Sequence, residues 1–170
     1  MNNKVLLAAF SLVILIGGIY WFTKPPASVS PSTLTPSVST KDQKVDYQAG
    51  FAIFTNGVFR VFSQAMYHNL SEDVFIEAKT PNIIQVKKSG ITWDDFFKTL
   101  PFKLTKECLT TGIKETFCSN DKAQLKFYLN GVKTDNLLDL KIKAGDRALI
   151  TYGNDTEEQI NKEFEKVPVP

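Results

Sequence analysis

Histidine is almost absent from this sequence of 170 residues, since His68 is the only one. A histidine-based metal cluster and a Ser-His-Asp triad with a spare histidine are therefore both unavailable. The serines lie in no nucleophile-elbow pattern, and no glycine-rich phosphate loop is present. We accordingly predict no catalytic residue, no metal ligand and no cofactor, and we do not expect an enzyme.

Long runs of basic residues are also missing. Residues 1–41 hold three of the 20 lysines and arginines and no acid, so the rest of the chain carries 17 basic against 18 acidic residues. A nearly neutral domain without basic runs is a poor match for the phosphate backbone. We therefore expect no nucleic-acid partner.

Residues 5–22 form an uncharged apolar run that ends in bulky aromatic residues. Eighteen helical residues span roughly 27 Å, which is enough to cross a bilayer. A secretory signal has a shorter apolar core and small residues at its cleavage site, whereas Tyr20 and Trp21 suit a membrane interface. We predict an uncleaved transmembrane helix in the lipid bilayer; a cleaved signal and a buried core helix are the alternatives.

The segments on either side of this run predict the topology. The flank 1–4 carries Lys4 and the terminal amine and should stay in the cytoplasm, which places the domain outside the cytoplasm. Residues 23–43 are rich in Ser, Thr and Pro without apolar periodicity, so we expect a disordered linker. A passive tether is the simplest interpretation, and a recognition or glycosylation segment is the alternative.

Cysteine is scarce, with only Cys108 and Cys118, which enclose nine residues. A metal site needs more ligands than two sulfurs, and a redox pair usually has two residues between its cysteines. A structural disulfide is the simplest prediction for an oxidising compartment, with free thiols or a redox or metal role as alternatives.

Residues 91–100 predict a short helix that packs on a sheet. Thr92 can cap the helix with Asp95 three residues later, and Ile91 and Phe96 occupy the positions of a hydrophobic staple. The apolar residues that follow recur at i, i+3, i+4 and i+7, and Pro101 discourages continuation. A further helix is predicted near the C-terminus, where Thr156 and Gln159 have capping-box spacing.

The remaining pattern favours strands. Residues 51–62 hold two β-branched and aromatic runs around Asn56-Gly57, which is typical of a β-hairpin. Residues 64–88 are less regular, and we interpret them as an insert with a weak strand pair around Pro81. Two further strands are predicted at residues 125–129 and 148–152.

This order of elements is α+β, and the stretch FYLNGVKTDNLLDLKIKAGDRALITYG resembles the second half of ubiquitin-like β-grasp domains. The resemblance implies a β-grasp-like mixed sheet with one short packed helix over residues 44–154, followed by a C-terminal helix and tail at 155–170. A sulfur-carrier activity is not expected, because that chemistry needs a Gly-Gly end and this sequence ends in Val-Pro-Val-Pro.

The phrases FAIFTNG, GITWDDFFKTLPFKL, KECLTTG and FYLNG resemble an uncharacterised family of single-pass membrane-anchored proteins from uncultured, small-genome bacteria. In that family the insert before the ITW phrase tends to be His-rich, but residues 74–88 contain no His. The metal role that such an insert implies is therefore not carried over.

Two functional hypotheses follow. In the first, the domain is a non-catalytic binding or interaction module that engages a protein, a glycan or a small ligand through an exposed sheet face or the insert 64–88. In the second, it is a structural component of a cell-envelope assembly. An enzyme of unknown type is a distant third.

Overall fold

The computed structural model describes residues 43–170, which fold into two β-sheets and two α-helices. The α+β class and the mixed sheet agree with the prediction. The strands are β1 (Lys44–Thr55), β2 (Val58–Phe59), β3 (Val74–Glu77), β4 (Thr80–Lys88), β5 (Lys103–Leu104), β6 (Cys108–Thr110), β7 (Thr116–Cys118), β8 (Gln124–Leu129), β9 (Val132–Lys133) and β10 (Arg147–Gly153). The helices are α1 (Trp93–Thr99) and α2 (Glu157–Glu165), and short 3-10 turns occur at Ala65–Tyr67 and Leu137–Asp139.

The predicted transmembrane helix at 5–22 and nearly all of the predicted linker lie outside the described residues. Within residues 43–170, neither helix has the length and hydropathy that a membrane crossing requires.

The larger sheet has the strand order β3-β4-β1-β10-β8-β9, and β2 pairs with the end of β1. The first and last long strands, β1 and β10, lie side by side and parallel, with partners from Gly50↔Arg147 to Thr55↔Tyr152. The neighbouring pairs β1–β4 and β10–β8 are antiparallel. The smaller sheet has the order β5-β6-β7 and is antiparallel throughout.

Helix α1 covers one face of the larger sheet. Its spacing places Trp93, Phe96 and Phe97 in the core, where they meet alternate residues of β1 such as Phe51 and Ile53. This helix falls within the predicted range 91–100. Helix α2 and the following Val167 cover the opposite face around Ala52, Phe54 and Leu149. The second predicted helix is therefore also present.

Two sequence interpretations are wrong in detail. The strand pair predicted around Pro81 is present as β3 and β4. Residues 64–88 are nevertheless not an insert, because β4 also pairs with β1 and contributes Ile83, Ile84 and Val86 to the interior. In the sequence, Pro81 and the two lysines at the end of β4 obscure the apolar pattern of this strand. The expected exposed sheet face is also closed at its centre, where Ala52 and Leu149 are fully buried beneath α2 and its tail.

The hairpin at residues 51–62 is confirmed but short. Asn56 and Gly57 both have positive φ, as a tight turn of this kind requires, and β2 pairs with β1 through only two residues. Arg60 N–H still donates to the Ile53 carbonyl, and the chain then leaves the sheet toward the 3-10 turn at Ala65–Tyr67.

Candidate functional site

An apolar groove lies between the segment after β2 and the β6–β7 hairpin. Its volume is about 330 Å³, at the lower end of the roughly 300–1,000 Å³ of small-ligand sites. The aromatic residues Phe59, Phe62, Tyr67 and Phe102 contribute to its lining. We call this feature the apolar groove; its other lining residues are Ile53, Val58, Arg60, Val61, Gln64, Met66, Leu109, Thr111, Gly112 and Ile113.

Exposed apolar side chains converge on the apolar groove. Seven large hydrophobic residues are exposed within residues 43–170, and four of them line it: Val58, Val61, Met66 and Ile113. Their exposed fractions run from 47% to 78%. Single exposed hydrophobic residues are normal on a protein surface, but a contiguous set marks a binding surface more often than chance placement does.

The β6–β7 hairpin, which the predicted disulfide closes, supplies one wall of the groove. Cys108 and Cys118 are bonded and lie directly opposite each other on β6 and β7. Beyond them, Thr111 N–H donates to the Glu115 carbonyl and closes the loop that carries Ile113. The covalent bond and the short sheet therefore hold an exposed apolar side chain at a defined position.

Gly112 lets this loop approach the opposite wall closely. A Cβ on Gly112 would lie 3.1 Å from the Pro101 carbonyl oxygen and 3.7 Å from Met66 Cε. Met66 comes from the 3-10 turn at Ala65–Tyr67, so its methyl group is a natural reporter on the groove.

Arg60 is the one charged residue among the groove-lining side chains, and its guanidinium is held in place. Nε donates to Thr55 Oγ1 over 2.6 Å, and Cζ lies 5.3 Å from the centroid of the Phe117 ring. Nη2 lies 3.7 Å from Glu115 Oε2, which is an ion pair but too long for a hydrogen bond. The side chain is 33% exposed. The guanidinium therefore has only a loose counter-ion among the described residues.

The other predicted residues lie at the start of α1 and do not line the groove. Thr92 Oγ1 accepts from Asp95 N–H, and the Asp95 carboxylate accepts from Thr92 N–H. Ile91 is half-buried against the core that contains Phe96. These four residues define a helix start, and the packing of Phe97 against Phe102 connects that helix to the groove lining.

The single histidine and one carboxylate near the start of each helix are engaged in local bonds. The His68 ring Nε2 lies 2.8 Å from the Phe62 carbonyl oxygen. Asp94 pairs with Lys98, and Glu158 pairs with Lys162. In the described part of the chain, no three His, Cys, Asp or Glu side chains come close enough together to hold a metal ion.

A buried carboxyl group beneath α2 was missed by sequence reasoning. Glu163 is only 6% exposed, and its Oε2 has no hydrogen-bond partner within residues 43–170. Burial raises the pKa of Glu163, and the charge of Asp155 adds to that shift, whereas the Thr151 hydroxyl and the Lys126 ammonium oppose it. This arrangement can retain a proton, but it presents no second reacting group to a substrate.

No family model, no curated protein and no solved structure matches the chain. Sequence reasoning named only Gln64, Met66 and Tyr67 of the groove, as part of the segment 64–88, and it missed the other lining residues because they come from separate strands and loops. The available signal was Ile113, a lone apolar residue at the tip of a cysteine-bounded loop.

Proposed function

We propose that the protein is a non-catalytic binding module, anchored in a membrane by residues 5–22, which holds its domain outside the cytoplasm and binds an apolar group in the apolar groove. The observation that carries this proposal is the convergence of Val58, Val61, Met66 and Ile113 on one surface. Leaving four apolar side chains in water is unfavourable, at about 25 cal/mol per Å². Their burial by a ligand would recover that free energy.

The disulfide supports both the site and the address. It braces the hairpin that carries Ile113, so part of the apolar surface is in place before a ligand arrives. Such preorganisation lowers the entropic cost of binding. A disulfide also persists in oxidising compartments, which agrees with a domain outside the cytoplasm.

The proposal includes a β-grasp assignment and membership in the family of membrane-anchored proteins whose phrases the sequence resembles. Support for the β-grasp comes from the strand order, in which β1 and β10 are parallel neighbours at the centre, flanked by β4 and β8. The position of α1 between β4 and β8 along the chain adds to it. The fold itself implies no activity.

The address is tested by peptide mass mapping of the membrane fraction without reduction. Recovery of residues 1–22 on the same chain as the Cys108–Cys118 bond is expected. A chain that begins near residue 24 and carries reduced cysteines would contradict the anchor and the proposed compartment together.

The site is tested with 1-octanol as an apolar probe. The sequence contains two methionines, so ¹³C-methyl labelling of the full chain in lipid nanodiscs gives one signal in the groove, Met66, and one remote from it in sequence, Met1. We expect octanol to shift Met66 in a saturable way. Val61→Ser and Ile113→Ser should each weaken that binding about three- to tenfold.

The matched controls are Val132→Ser and Val169→Ser, which alter exposed valines that do not line the groove. Neither should change the Met66 titration. Equal effects of all four substitutions, or equal shifts of Met66 and Met1, would overturn the groove as a binding site.

A further inference from the structure

We propose that the ligand of the apolar groove is a small amphiphile with a single alkyl chain and one carboxylate, whose chain lies along Val61, Met66 and Ile113 and whose carboxylate binds the guanidinium of Arg60. This inference rests on the proposed function, since it names the chemistry of the group that the groove accepts.

The position of Arg60 supplies the first argument. A guanidinium presents its N–H groups as a planar fork that matches a carboxylate in two parallel hydrogen bonds. Here Nε is engaged by Thr55 Oγ1 and the plane lies near the Phe117 ring, so the rotation of the fork is restricted. Nη1 and Nη2 are left for an external acceptor beside an apolar surface.

The neighbouring charge supplies the second argument. Glu115 lies 3.7 Å from Nη2, on a half-exposed side chain, and makes no hydrogen bond to it within residues 43–170. Exposed ion pairs of this length contribute little. A ligand carboxylate that makes two short bonds can therefore displace Glu115, which then acts as a competing counter-ion.

The size of the groove and the number of cations in its lining favour one class of anion. A groove of about 330 Å³ suits one short alkyl chain better than a lipid with two chains. One guanidinium and no second cation line the groove, which fits a singly charged carboxylate better than a phosphate group. A polypeptide partner would not need an anion opposite Arg60. The test must therefore distinguish a polypeptide from the amphiphile.

The test compares octanoate with 1-octanol at neutral pH, using the Met66 and Met1 methyl signals of the full chain in nanodiscs and measured free concentrations of both probes. The two molecules share a chain length and differ in their head group. We expect octanoate to bind about tenfold more tightly than octanol, as for a charge-assisted hydrogen bond that is partly exposed.

Substitutions at Arg60 and at Glu115 should change this preference in opposite directions. Arg60→Gln should abolish it, and Arg60→Lys should restore only part of it because an ammonium lacks the fork. Glu115→Gln should increase octanoate affinity because the competing carboxylate is gone. Lys114→Gln, which removes an exposed neighbouring cation outside the groove lining, is the matched control and should leave the preference unchanged.

The outcomes separate the two proposals. If octanol and octanoate bind equally, or the preference survives Arg60→Gln, the carboxylate assignment is overturned while the apolar site stands. If neither probe moves Met66 more than Met1, both proposals fail. Tighter binding of an uncharged apolar tripeptide amide than of octanoate would overturn the amphiphile in favour of a polypeptide partner.

Discussion

The two faces of the larger sheet are covered by apolar layers that differ strongly in size and packing. On the α1 face, Phe51 packs against Phe62, Phe96 and Phe97 with ring centroids 5.1 to 5.9 Å apart, within a large apolar core. On the α2 face, the buried apolar cluster is small, with Ala52, Phe54, Leu149, Ile160 and Val167 as its buried members.

Buried polar atoms without partners follow the same division. Within residues 43–170, the α1 face has one such side-chain atom, Trp93 Nε1. The α2 side has three, namely Arg147 Nε, Asp155 Oδ2 and Glu163 Oε2, while the Thr151 hydroxyl interacts with the Glu163 carboxyl. An unsatisfied buried polar group costs about 1–3 kcal/mol. We infer that α1 belongs to the cooperative core, whereas α2 and its tail open locally at a lower free energy.

The largest expected effect compares one phenylalanine from each face. Phe51→Ala should lower the free energy of unfolding by about 3–5 kcal/mol, because it leaves a cavity among packed rings. Phe54→Ala, within the smaller cluster, should lower the free energy of unfolding clearly less, because α2 and its tail can move inward. Urea unfolding followed by circular dichroism measures both, and equal losses would contradict the difference between the faces.

Gly50→Ala tests the tail on the α2 face. A Cβ at this position would overlap the Pro168 carbonyl oxygen, far inside van der Waals contact, so the tail must move away from the sheet. We expect a loss of about 1–3 kcal/mol, together with faster hydrogen exchange at Val167 N–H, which donates to the Phe164 carbonyl.

Gln48→Ala is the matched control for this substitution, because Gln48 lies on the same face of β1 two residues earlier. It should leave the exchange of Val167 unchanged. Slow exchange at Val167 in Gly50→Ala would show that the tail adjusts without leaving the sheet.

The two capping boxes offer an almost identical pair of substitutions. Thr92 caps α1 and Thr156 caps α2, each through the residue three positions later. Replacing either by Ala should cost about 1 kcal/mol. The consequence should differ: Thr92→Ala should lower the global free energy of unfolding, whereas Thr156→Ala should lower only the local opening free energy of α2.

Hydrogen exchange distinguishes these cases, because Phe96 N–H bonds to the Thr92 carbonyl and Ile160 N–H bonds to the Thr156 carbonyl. Faster exchange of Phe96 in Thr156→Ala would mean that the two helices open as one unit. The proposed independence of α2 would then be wrong.

The same contrast explains which features could be predicted from the sequence. Helix α1 was accessible because its cap, its apolar spacing and its stop all lie within residues 91–101. The disulfide was accessible because there are only two cysteines. The signals for α1 are local in the sequence, and two cysteines allow only one disulfide pairing.

Features built from distant segments were not accessible. The parallel pairing of β1 with β10 joins residues about a hundred positions apart, and the sequence of neither strand identifies the other as its partner. The apolar groove needs the turn after β2, the 3-10 turn and the cysteine-bounded loop at once. Glu163 reads as an exposed helical glutamate until α2 is placed on the sheet, where it turns inward.

The smallest expected effect concerns this Glu163. Because burial raises its pKa, the folded protein binds the proton more tightly than the unfolded chain does. The resulting stabilisation is complete below the ordinary pKa of a glutamate and is lost as the pH rises through the raised folded pKa. At neutral pH the ionised carboxylate therefore weakens the α2 layer next to Asp155, and the Thr151 hydroxyl and Lys126 oppose this effect only in part.

Glu163→Gln should raise the local opening free energy of α2 at neutral pH by less than about 1 kcal/mol and should flatten its dependence on pH. Exchange of Ile160 N–H across mildly acidic to neutral pH measures this, with the exposed Glu165→Gln on the same helix as the control. If Glu163→Gln weakens α2 at neutral pH, the carboxylate has a stabilising partner, and the α2 face owes its lower stability to thin apolar packing alone.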